Sequence, residues 1–248
     1  MKIELLNNKS NNPIQSLWIG PELSTMEMMC IQSYLTQGHE FHLYLYDKVL
    51  NIPEGTIIKD ANTIIPQKEI YVDAFGGYVN LSNQFRFTLL YKIGGWWVDM
   101  DTVCLKPFDF DDEYVFSSEN SDPYNRYLIN NTYIKSPAGA KILKDCLDYL
   151  NKRGHDNIHW GELGINLFSR MIFKNDLSKY IKHPEFFCPV SFYQLDILIN
   201  DNDHILPSVT YALHWWNEIW RRKKLDKNKT YPPKSIYEIM KHKYNLID

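Results

Sequence analysis

The sequence predicts one α/β domain, a single mostly parallel sheet flanked by helices. Three observations carry that prediction. Strand and helix patterns alternate from Gln15 to Tyr46, and a second helix pattern runs straight into an aromatic strand at Trp96. The composition is that of an ordinary globular chain, with 44% hydrophobic and 23% charged residues over 248 positions. A chain of that length buries a sizeable core.

Gln15–Ile19 is short, β-prone and closed by Gly20-Pro21. Ser24 stands three residues before Glu27, a capping box that opens a helix through about Leu35, and Gly38 stops it. Glu40–Tyr46 alternates as a strand does and ends at Asp47. Strand, helix and strand at this spacing form a βαβ unit with a right-handed crossover. Thr56–Ile58 predicts a further short strand inside the turn-rich Ile52–Pro66. Leu81–Ile93 reads as a helix: Leu81, Phe85, Leu89 and Ile93 share a stripe, Asn80 or Ser82 supplies the cap, and Gly94-Gly95 the left-handed stop. Trp96–Val98 then enters a strand. Val115–Phe116 and Tyr127–Ile129 predict strands, Ala138–Leu150 and Leu163–Phe173 helices, and Val209–Leu213 a late strand. A second capping box, Ser235 to Glu238, opens a C-terminal helix over 235–243. The whole of 1–248 reads as one domain with a helical excursion at 138–182, without internal repeats.

A formal net charge of −3 argues against nucleic acid as a partner, because phosphate-backbone binding needs a cationic surface. Cys30, Cys104, Cys146 and Cys188 form no CxxC pair, so they give no zinc signature and are expected as reduced thiols. Met1–Asn12 is polar, with no apolar core of a signal peptide, and no run of apolar residues is long enough to span a bilayer. The expected location is cytoplasmic.

The most informative stretch is GGWWVDMDTVCLKP, residues 94–107. In an extended chain Asp99 and Asp101 point to the same side. Two carboxylates held that close are costly unless a cation balances them or one carries a proton. Mg²⁺ or Mn²⁺ is the natural remedy, since these ions are commonly held by one or two carboxylates together with substrate phosphates. That arrangement suits glycosyl transfer, in which a metal neutralises a departing nucleoside diphosphate. The bland alternative makes Asp99 and Asp101 strand-end caps or ion-pair partners of Arg86 or Lys106. A sharper rival is an Asp-nucleophile phosphatase, in which Asp99 attacks phosphorus and Asp101 acts as general acid. No glycine follows the pair here, and only Asp111-Asp112 offers a later acidic pair. A catalytically silent sugar-binding protein is the third reading.

The run Ser82-Asn83-Gln84-Phe85-Arg86, followed by LLYKIGGWWVDMD, resembles the central block of sugar transferases with a DxD sugar-binding region. These include glycosyltransferase family 32, with its α-1,6-mannosyltransferases, α-1,4-galactosyltransferases and capsule enzymes; clostridial glucosylating toxins carry a similar block. LWIGPELS and GHEFHLYLYD look like that family's opening, and ALHWWNEIW like its closing segment, so the resemblance spans about residues 1–220. It implies a GT-A fold, a single mixed, mostly parallel sheet flanked by helices. It also implies retaining transfer of a hexose from a UDP-sugar, less readily a GDP-sugar, with Mn²⁺ or Mg²⁺. The acceptor implied is a hydroxyl of a growing surface polysaccharide or lipid-linked glycan. On this resemblance Trp18 stacks on the base, Asn83 and Arg86 touch ribose or donor sugar, and Asp99 binds sugar or ribose hydroxyls. Asp101 ligates the metal, His214 is a further ligand or diphosphate contact, and Trp220 closes over the diphosphate. Two departures stand out: Asn83 replaces the usual Asp, and Glu218-Ile219 precede Trp220 where a Ser is common.

Asn83 and Arg86, three apart, share one helix face, and Arg offers a fixed fork for paired oxygens; the bland alternative for Arg86 is an ion pair with Asp99. Asn130-Asn131 ends a predicted strand and either binds donor hydroxyls or forms a turn. Trp160-Gly161-Glu162 precedes a helix and is placed to reach the acceptor, whereas Glu162 read locally is a first-turn dipole partner. Arg221, Arg222, Lys223 and Lys224, with Lys227 and Lys229, form the one basic cluster. It is either a solvated face or a peripheral contact with anionic headgroups at the inner face of a membrane.

Overall fold

The computed structural model describes residues 13–73, 76–121, 127–154, 158–201 and 203–246. β1 (Ile14–Trp18), α1 (Thr25–Thr36) and β2 (Phe41–Leu45) form the expected βαβ unit, with the strands parallel along their whole length. The capping box forms, the Ser24 amide donating to Glu27 Oε2 at 2.9 Å. β3 (Ile57–Asp60) adds a third parallel strand.

α2 (Val79–Ile93) begins earlier than its sequence signals suggest. Neither Asn80 nor Ser82 caps it. The Asp73 carboxylate reaches in from outside, accepting from the Gly77 and Asn80 amides at 3.2 Å each. Leu81, Phe85 and Leu89 are buried, but Ile93 is half exposed, because 100° per residue carries it about 120° around the helix from Leu81. Gly94 has φ +73°, and a Cβ there would lie 2.6 Å from the Ala138 backbone nitrogen. Only glycine lets the chain reverse at this point into β4 (Gly95–Val98).

β4 pairs parallel with β1; β7 (Tyr127–Ser136) pairs antiparallel with β4 and with β6 (Val115–Asn120). The sheet therefore runs β3-β2-β1-β4-β7-β6, mixed and mostly parallel, as expected. Strand order reverses between β1 and β4, the place where open α/β sheets form a crevice at the carboxyl ends of the strands. A separate ribbon joins β5 (Thr102–Cys104) to β8 (Ala212–His214).

Apolar side chains cover both faces of the sheet. One core holds Phe85, Phe87, Trp97 and Phe168 beneath α2, α3 (Lys141–Arg153) and α4 (Leu167–Lys174). The other holds Trp96, Phe108, Tyr133 and Phe187 beneath α1, α5 (Pro184–Phe187), α6 (Leu195–Ile199), α7 (Asn217–Lys223) and α8 (Ile236–Lys243). Residues 138–182 carry α3 and α4, which pack on α2 and on each other as part of the first layer. Several further boundaries differ from the sequence reading, and β7 runs on to Ser136, so Asn130 and Asn131 lie inside a strand rather than at its end. α3 starts at Lys141 because Gly139 turns with φ +71°. Glu162–Asn166 forms a π-helical turn ahead of α4, and the late strand lies at Ala212–His214. All four cysteines are buried and unpaired. Among the described residues no helix is long and apolar enough to cross a membrane.

Candidate active site

Asp99-Met100-Asp101 occupies the turn between β4 and β5, not an extended run. The carboxylates converge because the chain folds back here, with Thr102 Oγ1 donating to the Asp99 carbonyl at 2.9 Å. His214 completes a cluster: one ligand atom each from Asp99, Asp101 and His214 lie within 4.8 Å of one another. The β5–β8 ribbon brings the histidine across, setting Thr102 opposite His214. Two bonds fix it there, from Tyr133 Oη to the Leu213 carbonyl at 2.7 Å and from the Trp215 amide to the Asp101 carbonyl at 2.8 Å.

Asp101 Oδ2 lies 3.1 Å from His214 Nε2 and accepts from the Asn217 amide at 2.7 Å. The second contact depends on Trp216, whose left-handed backbone (φ +61°) aims the first amide of α7 at the carboxylate. Burial pushes the Asp101 carboxyl up, but the His214 charge and these bonds hold it down at about 2. Burial alone would make His214 less basic; the Asp101 charge outweighs it and raises the imidazole well above its ordinary range. Asp99 is raised by burial, partly offset by the Arg86 guanidinium. Its Oδ1 sits 2.9 Å from Arg86 Nη2 and accepts from Trp97 Nε1 at 3.0 Å. Both carboxylates keep solvent access, 24% for Asp99 and 14% for Asp101.

Arg86 therefore makes the ion pair read as its bland alternative, and it is built in firmly. Nη2 reaches Ser82 Oγ at 3.0 Å, Nη1 donates to the Asn131 carbonyl, and the guanidinium stacks 4.9 Å from the Trp97 ring centroid. Asn83 shares its helix face and accepts from Asn131 Nδ2 at 2.8 Å. Gly164 packs directly on this amide: a Cβ there would lie 2.8 Å from Asn83 Nδ2.

Trp18 is half-buried at the end of β1, its Nε1 donating to the Glu22 carbonyl at 3.1 Å. It lines a cavity of about 390 Å³ with Ser24, Asn51, Lys227 and Asn228. Three residues expected at the site are engaged by neighbours in the fold. Asn130 is sealed in the core, bonded to Glu119 at 2.8 Å, to Ser117 and to Cys188, so its amide has no free face for a donor hydroxyl. Trp220 is buried against Tyr237 and Tyr231, with ring centroids at 4.8 and 5.4 Å. The Glu162 carboxylate is taken up by Arg153 Nε at 2.7 Å and the His159 amide at 2.9 Å, which holds its own turn together. In the basic run, Arg221 and Arg222 fold back on Glu218, each at 2.7 Å, while Lys223 and Lys224 are exposed. Asp112 of the later acidic pair is bound to Lys182 at 2.6 Å. Asn217 and Trp216 had no readable signal, because they act through a backbone amide and a backbone conformation.

Two carboxylates and an imidazole form an O,O,N donor set that fits Mn²⁺ or Mg²⁺, the nitrogen favouring manganese. Here Arg86 and His214 supply the balancing positive charge. A cation held by Asp99, Asp101 and His214 would take the place of the His214 proton and would keep both carboxylates ionised.

Residues 24–122 match the family model described as a glycosyltransferase sugar-binding region containing a DXD motif. No curated protein matches the chain. Among solved structures it is similar to the PaToxG glycosyltransferase, at 16% identity over 67% of this chain and 70% of that one, with a TM-score of 0.50. It is similar also to the apo form of the glycosyltransferase GlyE of Streptococcus pneumoniae TIGR4, at 14% identity and a TM-score of 0.53. That match covers 96% of this chain and 61% of GlyE. Both likenesses concern the fold, which is of the GT-A type. Asp99 and Asp101 lie inside the matched segment, so residues 24–122 are similar to the glycosyltransferase sugar-binding regions that carry a DXD motif.

Proposed function

We propose that the chain moves a hexose from a UDP-sugar, with retention, to a hydroxyl of a growing surface polysaccharide or lipid-linked glycan, using Mn²⁺ or Mg²⁺. The observation that carries this reading is the meeting of Asp99, Asp101 and His214 within 4.8 Å at the carboxyl end of β4. Asp101 and His214 hold the ion, with Asp99 as a further ligand or as the acceptor of a donor hydroxyl. The bound cation neutralises the charge that gathers on the departing diphosphate. Arg86 fixes the Asp99 carboxylate by its ion pair and so sets the donor's hydroxyl contacts. Trp18, across the β1–β4 crevice, offers its ring to the nucleobase.

The Asp-nucleophile phosphatase fits the geometry poorly. Its general acid must hold a proton near neutral pH, and Asp101 is held at about 2 by His214 and the Asn217 amide. Its nucleophile would be Asp99, which is tied to Arg86 and Trp97.

The test is a panel of UDP- and GDP-sugars incubated with the protein, with and without Mn²⁺, followed by slow donor hydrolysis. Turnover of one UDP-sugar only with the metal supports the reading. Binding without turnover points to the silent sugar-binding protein, and release of phosphate from simple monoesters points to the phosphatase.

A further inference from the structure

We propose that Trp160, steadied by Arg222, is the platform on which the acceptor sugar stacks; this rests on the donor reading above. A path of contacts leads out from the cluster and back to it. From Asp99 it passes to Arg86, to the Asn131 carbonyl, and through the Asn131 side chain to Asn83. Asn83 abuts Gly164, in the turn that Gly161 opens with φ +77°. Trp160 stands at the start of that turn. The Arg222 guanidinium lies 4.7 Å from its ring centroid, and α7 leads back from Arg222 to Asn217, whose amide meets Asp101. Trp160 and Arg222 thus close the rim where the π-helical turn meets α7.

Trp160 is 43% exposed on this rim, although an indole is among the side chains that gain most from burial. It is also held in place. Glu162 ties its turn to Arg153 and to the His159 amide, and Glu218 grips Arg222 at Nε at 2.7 Å. Arg222 lies over one face of the indole and the ring stays half exposed, which suits a pyranose: its C–H face packs on the indole face that the guanidinium does not cover. Trp18, the platform proposed for the nucleobase, lies on β1, which the path of contacts does not include. Glu162, expected to bind the acceptor, instead fixes the turn that does so.

The test is saturation-transfer NMR on the whole chain with UDP and Mg²⁺ present, using the methyl α- and β-glycosides of glucose, galactose and N-acetylglucosamine as probes. UDP binding is followed by calorimetry in the same samples. At least one glycoside is expected to show contacts through its ring C–H groups. Trp160→Ala should weaken these contacts about fivefold or more, and Trp160→Phe should keep most of them. UDP affinity and thermal midpoint should stay unchanged in both variants. UDP bound with no glycoside contact, or equal contact in Trp160→Ala, overturns the platform. Failure of the unaltered protein to bind UDP overturns the donor reading beneath it.

Discussion

Replacing Arg86 by methionine keeps the aliphatic stem and removes one half of a buried ion pair. The side chain of Arg86 is 5% accessible, and its Nη2 lies 2.9 Å from Asp99. The substitution also takes a donor from the Asn131 carbonyl and from Ser82 Oγ, and a cation from the Trp97 face. Removing one partner of a buried pair costs about 3–5 kcal/mol, since the other charge is left uncompensated. Asp99 keeps 24% access and its bond from Trp97 Nε1, so the lower end applies and the expected loss is about 3 kcal/mol. In a domain of this size that lowers the thermal midpoint by roughly 6–12 °C. Adding Asp99→Asn removes the stranded charge, so the double variant should be more stable than the two single losses add up to, by about 1–2 kcal/mol. Urea titration of all four proteins measures this, with the slope unchanged and only the midpoint moving. A loss below about 1 kcal/mol for Arg86→Met, or strict additivity in the cycle, refutes the pairing as the force that holds Asp99 in place.

Gly94→Ala should destabilise by about 2 kcal/mol or more, because its Cβ meets the Ala138 backbone and its φ is positive; an unchanged urea midpoint refutes that turn. His39 accepts from the Phe108 amide at 3.0 Å, and burial lowers its pKa to about 4. As pH falls below about 6.5 the unfolded chain takes up a proton that the native imidazole refuses, so stability declines down to about pH 4, by up to about 3 kcal/mol. His39→Gln should flatten that slope, and an identical pH profile in a urea series counts against it. Asp101→Asn can still accept from the Asn217 amide but loses its charge. Mn²⁺ affinity, read by electron paramagnetic resonance with UDP present, should fall at least about tenfold with circular dichroism unchanged. Equal manganese binding would remove Asp101 from the metal site.

Local chemistry made much of the frame readable. The Ser24–Glu27 box, the alternation of residues 40–46 and the double glycine after α2 are short-range signals, and each marks a structural boundary. Register within α2 was less legible, since an i, i+4 stripe drifts around the helix and takes Ile93 off the buried face. Its cap came from Asp73, outside the window in which a cap is sought. The Asp99–Asp101 spacing pointed to paired carboxylates, but their convergence comes from a turn, and alternation along a strand was the wrong geometry for it.

The amino-acid sequence by itself determined the chemistry available: two carboxylates two residues apart, an arginine on the preceding helix, and a chain patterned to make a parallel sheet. Tertiary structure alone decided which other groups meet them. His214 lies more than a hundred residues from Asp101 and reaches it only because β8 pairs with β5. Asn130 and Trp220 look equally available in one dimension, yet packing seals both in the core. Trp160 becomes a rim residue only when α7 carries Arg222 across to it. Propensity, capping and spacing act over a few residues and are written locally, whereas contacts across the chain are set by which surfaces bury one another best.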